Sequence, residues 1–321
     1  MTQNNTLKKA LAMGIASSVL FSSTYIVNDS MSLAGCSWIW SASLRFLFML
    51  VLLILPVCLR GNMGLVMKEL KRAPWQWILW STVGFGVFNA PLAFASMYGP
   101  SWLVAATFQF TIFAGALLSP LFSSAQIVDG REVRVRGKIP WRLFPAFGAI
   151  LAGVFLLQAE HAESTSLEEA ALFLIPVLIS AFAYPLGNRK TMELCEDRLP
   201  TLERIFAMSL CSLPFWLILS GIGVGTVGWP PGEQILQVGI SAVLSGILAT
   251  LLLFSATNMV KHNMSQLALV ESVQCGEVVF TMLFGVLLLG NSLPGTLGWI
   301  GLALIIGGML VNSLLSSRRS A

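Results

Sequence analysis

Two carboxylates lie inside one apolar stretch near the C-terminal end of the chain, where few other side chains can do chemistry. The stretch, residues 266–289, is long enough to cross a bilayer, which takes about 20 residues of helix. Glu271, Gln274 and Glu277 recur at intervals of three, so a helix places them on one face, which Thr281 shares. An ionised carboxylate that faces lipid costs about 3 kcal/mol or more, so this face should point towards protein or water. The alternative is a helix-packing face whose carboxylates are neutral or hydrogen-bonded.

Carboxylates held inside a membrane are suited to binding and releasing a proton or a cation. Glu271 and Glu277 lie about 9 Å apart along a helix axis, given a rise of about 1.5 Å per residue. Protonation from one side of the membrane and release to the other, in exchange for a cationic or polar substrate, is a consistent mechanism. We therefore predict that Glu271 and Glu277 are the proton-coupling or cation-binding residues, with Gln274 and Thr281 lining a cavity beside them.

The composition is that of a membrane protein. Of the 321 residues, 56% are hydrophobic and only 11% are charged, whereas soluble domains carry about 25% charged residues. The sequence has no phosphate-binding loop, no nucleophile elbow and no zinc-binding HExxH pair, and its five cysteines form no CxxC motif. We expect a multi-pass membrane protein that is not an enzyme, with no metal, no cofactor and no nucleic-acid partner.

Ten apolar segments are predicted as transmembrane helices, and the bundle is predicted to be all-α. Every lysine and arginine except Arg45 falls on one side of this topology, and the connection 160–169 on the other side is acidic. The positive-inside rule then places both termini in the cytoplasm of a cell of bacterial type, with the protein in the cell membrane. The predicted spans are 8–28, 38–59, 76–98, 102–122, 142–159, 170–187, 204–224, 235–258, 266–289 and 295–315.

Short echoes between helices of the same order divide the chain into two five-helix repeats, 1–160 and 161–321. Gly115-Ala116-Leu117-Leu118 in the fourth span echoes Gly285-Val286-Leu287-Leu288 in the ninth. A unit with an odd number of crossings must be inverted in its second copy, and inverted repeats with a site between them are a transporter architecture. Two repeats in one chain could form a complete pathway in a monomer, and a homodimer stays possible.

Polar side chains in the other spans are candidates for the same cavity. The repeat alignment places Thr107 opposite Glu277 and Thr111 opposite Thr281. Pro91 could break or kink its helix and Pro185 is a second candidate for a break, and discontinuous helices expose backbone groups to a cavity. Polar residues of this kind could equally serve as hydrogen bonds between helices. The candidates are Tyr25, Asn28, Asn89, Thr107, Gln109, Thr111 and Tyr184.

Two charged residues in the first spans have competing interpretations. Asp29, near the outer end of the first span, is either an interfacial carboxylate in water or part of a substrate vestibule. For Arg45, we favour a side chain that extends to the outer headgroups over one that contacts the substrate.

A family resemblance rests on Ser43-Leu44-Arg45-Phe46-Leu47, Val270-Glu271, Glu277-Val278-Val279-Phe280, Phe284 to Gly290 and Gly301 to Gly308. On these residues the chain resembles the drug/metabolite transporter superfamily in its ten-helix form. The segment that includes Glu277 looks like the multidrug-resistance efflux branch. Asn291 and Val278 depart from the pattern, since many members have an acidic residue and a proline at these positions.

The resemblance implies export of drugs or metabolites, commonly coupled to protons. The leading hypothesis is a secondary active transporter, a proton-coupled exporter of a small amphipathic or cationic compound. The alternatives are a carrier for uptake or exchange of a metabolite, and a lipid-handling membrane protein. The sequence itself does not set the direction of transport, because the gradients do.

Overall fold

The structure is a computed structural model that describes residues 3–128, 131–136, 138–139, 141–164, 166–196, 198–260, 266, 270 and 273–317. Its α-helices are α1 (Gln3–Leu33), α2 (Trp38–Leu59), α3 (Met63–Arg72), α4 (Pro74–Ser81), α5 (Phe88–Ala95), α6 (Ser101–Phe108), α7 (Thr111–Leu117), α8 (Phe144–Ser164), α9 (Leu167–Cys195), α10 (Thr201–Cys211), α11 (Leu213–Val227), α12 (Gly232–Ser241), α13 (Thr250–Val260), α14 (Gly276–Leu289) and α15 (Thr296–Ser317).

Several of these helices can cross a membrane by length and composition. Six stretches qualify within the described residues, and α10 with α11, which meet at 45°, would together be a seventh. Three shorter apolar helices are Ser101–Leu117, Gly276–Leu289 and Thr296–Asn312. The six stretches are Asn5–Leu33, Trp38–Leu59, Pro74–Ala95, Trp141–Glu160, Leu167–Cys195 and Gly232–Thr257.

Two of these stretches contain a π-helical segment. Thr82–Val87 joins α4 to α5, and Ala242–Ala249 joins α12 to α13. In the first case Pro91 follows by one turn, and its ring would clash with the carbonyl of Val87 in a regular α-helix. The predicted break near Pro91 is therefore a local widening, and the helix continues through it.

The predicted break at Pro185 is also wrong, because α9 continues through both of its prolines. Pro185 has no N–H to donate to the carbonyl of Ala181, and a side chain from another helix takes that role: Thr111 Oγ1 donates to Ala181 O at 2.9 Å. The fourth span, predicted as one helix, is interrupted instead, since α6 ends at Phe108 and α7 begins at Thr111.

A two-stranded hairpin departs from the all-helical prediction. Strands β1 (Ser123–Val128) and β2 (Arg131–Arg136) pair antiparallel between α7 and α8. Alternating valines and charged residues in β2 and the dipeptide Asp129-Gly130 are typical hairpin signals in the sequence. The helices carry the membrane-spanning part, and the hairpin belongs to a connection.

Close helix contacts depend on glycines. A side chain at Gly187 in α9 would come within 2.2 Å of Gly84 in the first π segment. Helices α8 and α15 pack along their length, with Gly153 and Gly301 so close that a side chain at either would meet the backbone of the other. Further packed pairs are α1 with the second π segment, α9 with the first π segment, α1 with α14, α9 with α7, α2 with α10 and α6 with α14.

Candidate functional site

Glu277 lies close to the start of α14 and is partly buried. A 3₁₀ turn, Val273–Cys275, precedes the helix, so the predicted uniform helix over 266–289 is interrupted there. Gln274 lies in this turn and is partly buried. Glu271, the other predicted carboxylate, lies outside the described residues.

Arg45 of α2 points into the bundle towards Glu277. Its guanidinium interacts electrostatically with Glu277, and its Nη1 donates a hydrogen bond to Thr24 Oγ1. Its Nε atom is buried and has no hydrogen-bond partner among the described residues. The interpretation of Arg45 as a headgroup-facing residue is therefore wrong, because its charge is balanced inside the protein.

A chain of hydroxyls holds Arg45 in place. Thr24 Oγ1 accepts from Arg45 and donates to Ser245 Oγ at 2.8 Å, and Ser245 Oγ donates to the carbonyl of Ser241 at 2.7 Å. Thr24 and Ser245 are buried and lie 221 residues apart in the sequence. The sequence carries no signal that would have joined these residues to Arg45, since Ser and Thr are common in membrane helices.

Two tyrosines complete the cluster. Tyr25 of α1 is 3% exposed and lies within electrostatic range of Glu277, Arg45 and Tyr184. Tyr184 of α9 is 41% exposed and also interacts with Glu277. We call Tyr25, Arg45, Tyr184 and Glu277 the central cluster. It joins four helices, so both predicted tyrosines do lie beside the predicted carboxylate.

A cavity of about 410 Å³ shares Tyr184 with this cluster. Tyr184, Asn188 and Arg189 of α9 line it together with residues of α7, α8 and α15. Arg189 Nη1 donates to the carbonyl of Gly115 at 2.6 Å and its guanidinium lies over the ring of Phe122. The described lining of the cavity therefore combines apolar and polar side chains with one cation, Arg189.

Four predicted cavity residues have side-chain hydrogen bonds, Thr107 and Thr111 to other helices and Gln109 and Thr281 to a carbonyl four residues earlier. Besides Thr111, Thr107 Oγ1 accepts from Gln158 Nε2 at 2.9 Å, Gln109 Nε2 donates to Ala105 O at 3.3 Å, and Thr281 Oγ1 donates to Glu277 O at 2.7 Å. Thr111 also lines the cavity, but its hydroxyl is already used. Asn28 and Asn89 are buried.

Asp29 is a buried carboxylate with a different environment. It is 4% exposed, and its Oδ2 accepts from the Ser101 backbone N–H at 2.8 Å and from Asn291 Nδ2 at 2.6 Å. Asn291 Nδ2 also donates to Ser101 Oγ at 3.2 Å. Asp29 is thus neither a water-exposed group nor part of an open vestibule, because it fastens α1 to the start of α6 and the end of α14.

An ionic contact lies outside the membrane-spanning helices, in the connections that follow α2 and α9. Arg198 donates to Glu69 of α3 from both Nε and Nη2 at 2.8 Å, and also pairs with Glu196. These hydrogen bonds, more than any other influence, lower the pKa of the Glu69 carboxyl from its ordinary value. The contact ties the connection after α2 to the connection after α9.

A helical bundle that gathers ionisable side chains from several bilayer-length apolar helices belongs to the class of multi-pass membrane transporters. Among the described residues, no three His, Cys, Asp or Glu side chains are grouped as metal ligands.

Comparison with known proteins gives the family. Residues 8–318 match the EmrE family, described as "Putative multidrug resistance efflux transporter", and the chain belongs to this family. The resemblance to multidrug-resistance efflux transporters is thereby confirmed over nearly the whole chain.

Two relatives cover most of the chain. The uncharacterized protein YjlA of Bacillus subtilis is 46% identical over 311 residues, which are 97% of this chain and 96% of YjlA. An uncharacterized 42.1 kDa protein of Shouchella clausii is 44% identical over 270 residues, 84% of this chain and 70% of its own. A solved crystal structure aligns over 98% of this chain and 99% of its own with a TM-score of 0.61, and at 16% identity this likeness shows the fold alone.

Proposed function

We propose that this membrane transporter is a secondary active, proton-coupled exporter of a small amphipathic or cationic compound, located in the cell membrane. The observation that carries the proposal is the position of Glu277, an acidic side chain in an apolar helix that is only partly buried and faces Arg45 and Tyr25. A carboxylate in such a place must be neutralised by a proton, by a cationic substrate or by the arginine. Exchange between these partners is the elementary step of antiport.

The proposed architecture has ten spans in two inverted five-helix repeats, 1–160 and 161–321, with both termini in the cytoplasm. It counts the bent pair and the three shorter apolar helices as spans. π-helical segments in the third and eighth spans support the repeat. So does the helix packing, since α1 contacts the second π segment and α14 much as α9 contacts the first π segment and α7.

In this mechanism the protein alternates between two openings of one site. With the cavity open at Tyr184 and Asn188, a substrate enters and its positive charge competes with Arg45 for Glu277. Closure of that side and opening of the other releases the substrate, and a proton then neutralises Glu277 for the return step. A single chain would suffice, with the small molecule, the proton and the bilayer as its partners.

An uptake or exchange carrier would use the same residues, because the gradients set the direction. The test uses purified protein in liposomes with an imposed pH gradient, with ethidium, tetraphenylphosphonium, phenylalanine and leucine as probes and lumenal pH as the measurement. We expect probe-dependent collapse of the gradient in the wild type and none in Glu277→Gln. A Glu277→Gln protein that collapses the gradient as the wild type does would disprove the role of this residue in coupling. Flux of a probe without proton movement in the wild type would identify a uniporter or exchanger.

A Glu271→Gln variant belongs in the same experiment, because the sequence places a second carboxylate one to two turns before Glu277. Loss of coupling in Glu277→Gln alone would assign the proton to that residue. Loss in both variants would assign it to the pair.

A further inference from the structure

Arg45 uses only part of its hydrogen-bonding capacity. A guanidinium has five N–H donors, and here Nη1 is bound to Thr24 while the buried Nε has no partner among the described residues. A buried donor on a charged group without an acceptor is unfavourable, so such a donor indicates an acceptor that arrives from elsewhere. The Thr24–Ser245 hydroxyl chain fixes the orientation of the guanidinium fork, and the edge of the fork that includes Nε is left for another group.

The free edge of an arginine fork is suited to one kind of group. Two parallel N–H donors match the two oxygens of a carboxylate or another oxoacid in a bidentate pair. Glu277 offers the complementary charge within electrostatic range of the same guanidinium. The central cluster thus contains one fixed cation and one fixed anion inside the membrane.

From this geometry we infer that the substrate is amphoteric: it carries a carboxylate or similar oxoanion that binds Arg45 and an ammonium or similar cation that binds Glu277. The inference rests on the proposed function, whose site it uses, and narrows the substrate class. A simple monocation that bound Glu277 would leave the guanidinium without a counter-charge in a medium of low dielectric constant. A zwitterion meets both charges at once.

A group of aromatic rings beside the central cluster is suited to binding the remainder of the substrate. The Tyr184 ring contacts the rings of Phe88 and Phe108, with centroids 4.9 Å and 5.9 Å apart, and those two rings are 5.5 Å from each other. Such a surface binds apolar or aromatic groups. The expected substrate has a zwitterionic head and an apolar body.

The experiment compares ligands that differ only in charge. The phenyl series is phenylalanine, phenylethylamine and 3-phenylpropionate, and the isobutyl series is leucine, 3-methylbutylamine and 4-methylpentanoate. The binding of each to the purified full-length protein is measured as thermal stabilisation over a concentration series. We expect the zwitterion of at least one series to bind the wild type at least about tenfold more tightly than its cationic and anionic partners, since only the zwitterion satisfies both charges.

Variants of Arg45 test the assignment itself. Arg45→Gln should abolish the preference for the zwitterion and favour the amine, and Arg45→Lys, which keeps the charge but not the fork, should give an intermediate preference. Thr24→Val is a milder variant that only releases the fork, and it should weaken zwitterion binding with little effect on amine binding. It keeps the test decisive if Arg45→Gln does not fold.

The inference is overturned if no zwitterion of either series binds, if the amines bind as tightly as the zwitterions, or if the variants leave the preference unchanged. Failure of the proposed function has a different signature. In that case Glu277→Gln would retain gradient collapse, whatever the charge preference of the site.

Discussion

Asp29 and Glu277 are both acidic residues in apolar helices, but the partners of their carboxylates differ. Asp29 is almost fully buried and binds a backbone N–H and a side-chain amide, both through Oδ2. Glu277 is partly buried and faces Arg45, whose fork keeps an unused donor. The first carboxylate is held by neutral donors, while the second faces a charged side chain and Tyr25.

This difference gives a criterion that distinguishes structural from functional charges in a membrane bundle. A buried charge with a complete set of fixed hydrogen bonds stabilises one conformation. A charge whose partners are incomplete can exchange them, and exchange is what transport requires. We therefore propose that Asp29 serves stability and that Glu277 serves transport, and the predictions below begin with the structural side of this comparison.

The largest effect on stability should come from Asn291→Asp. It places a second carboxylate at the position of an amide that lies 2.6 Å from Asp29 Oδ2, and it replaces a donor by an acceptor. Like charges at such a distance repel by about 6 kcal/mol at an effective dielectric constant near 20. We expect a loss of about that size in the free energy of unfolding, measured by denaturation in detergent. The double variant Asp29→Asn with Asn291→Asp should recover most of it, and no recovery would contradict a direct contact.

Removing the carboxylate itself should cost somewhat less. Asp29→Ala leaves the Ser101 N–H and the Asn291 amide buried without their acceptor, at an expected cost of about 3 kcal/mol. Asp29→Asn can keep both bonds through its amide oxygen and should cost about 1 kcal/mol. Equal stability of the Ala variant and the wild type would show that Asp29 does not fasten these helices.

The ionic contact outside the membrane should contribute less, and its contribution should depend on pH. Glu69→Gln weakens the two hydrogen bonds from Arg198, at a cost of about 1 kcal/mol because Arg198 is partly exposed and its charge is screened. The folded-state pKa of Glu69 is lowered, so this contribution is complete above the ordinary glutamate pKa of about 4.3 and is lost as the pH falls through the lower folded-state value. Glu196→Gln, at a more exposed partner of Arg198, is the control and should cost under about 0.5 kcal/mol. A stability cost of Glu69→Gln that increases as the pH falls would contradict this pH dependence.

The smallest effect concerns two threonines that the proposed repeat alignment makes equivalent. Thr111→Val removes the bond to the Ala181 carbonyl that Pro185 leaves free, so that carbonyl loses its hydrogen-bond donor and stability falls by about 1 kcal/mol. Thr281→Val removes a bond to Glu277 O within the same helix, and we expect a change within about 0.5 kcal/mol. Equal effects of the two substitutions, measured by the same denaturation, would mean that the Pro185 gap does not need Thr111.

Local patterns predicted the helices well where hydrophobicity and caps agree. The span predicted over 38–59 is observed as Trp38–Leu59, with the Ser37 hydroxyl accepting from the Ile39 N–H at its start. The predicted effect of Pro185 was wrong because a threonine from another helix compensates for the missing donor. The hairpin Ser123–Arg136 was not predicted, although valines and charged residues alternate in its second strand. A search for apolar segments passes over polar connections of this kind.

The candidate site was predicted in part. Glu277, Tyr25 and Tyr184 are brought together, because intramembrane polar groups favour one another over lipid. The direction of Arg45 could not be predicted, since it depends on Thr24, whose own partner Ser245 lies 221 residues away. The bond between Asp29 and Asn291 joins residues 262 apart, so Asp29 appeared in the sequence as an isolated charge.

The most direct test of the assignment measures transport and stability of two conservative variants side by side. Glu277→Gln and Asp29→Asn are each purified, their unfolding is measured, and gradient-driven efflux is recorded from the same liposomes for both. We predict that Glu277→Gln is as stable as the wild type and inactive, whereas Asp29→Asn is less stable and still transports. The opposite pattern, with active Glu277→Gln and a fully stable but inactive Asp29→Asn, would contradict the account.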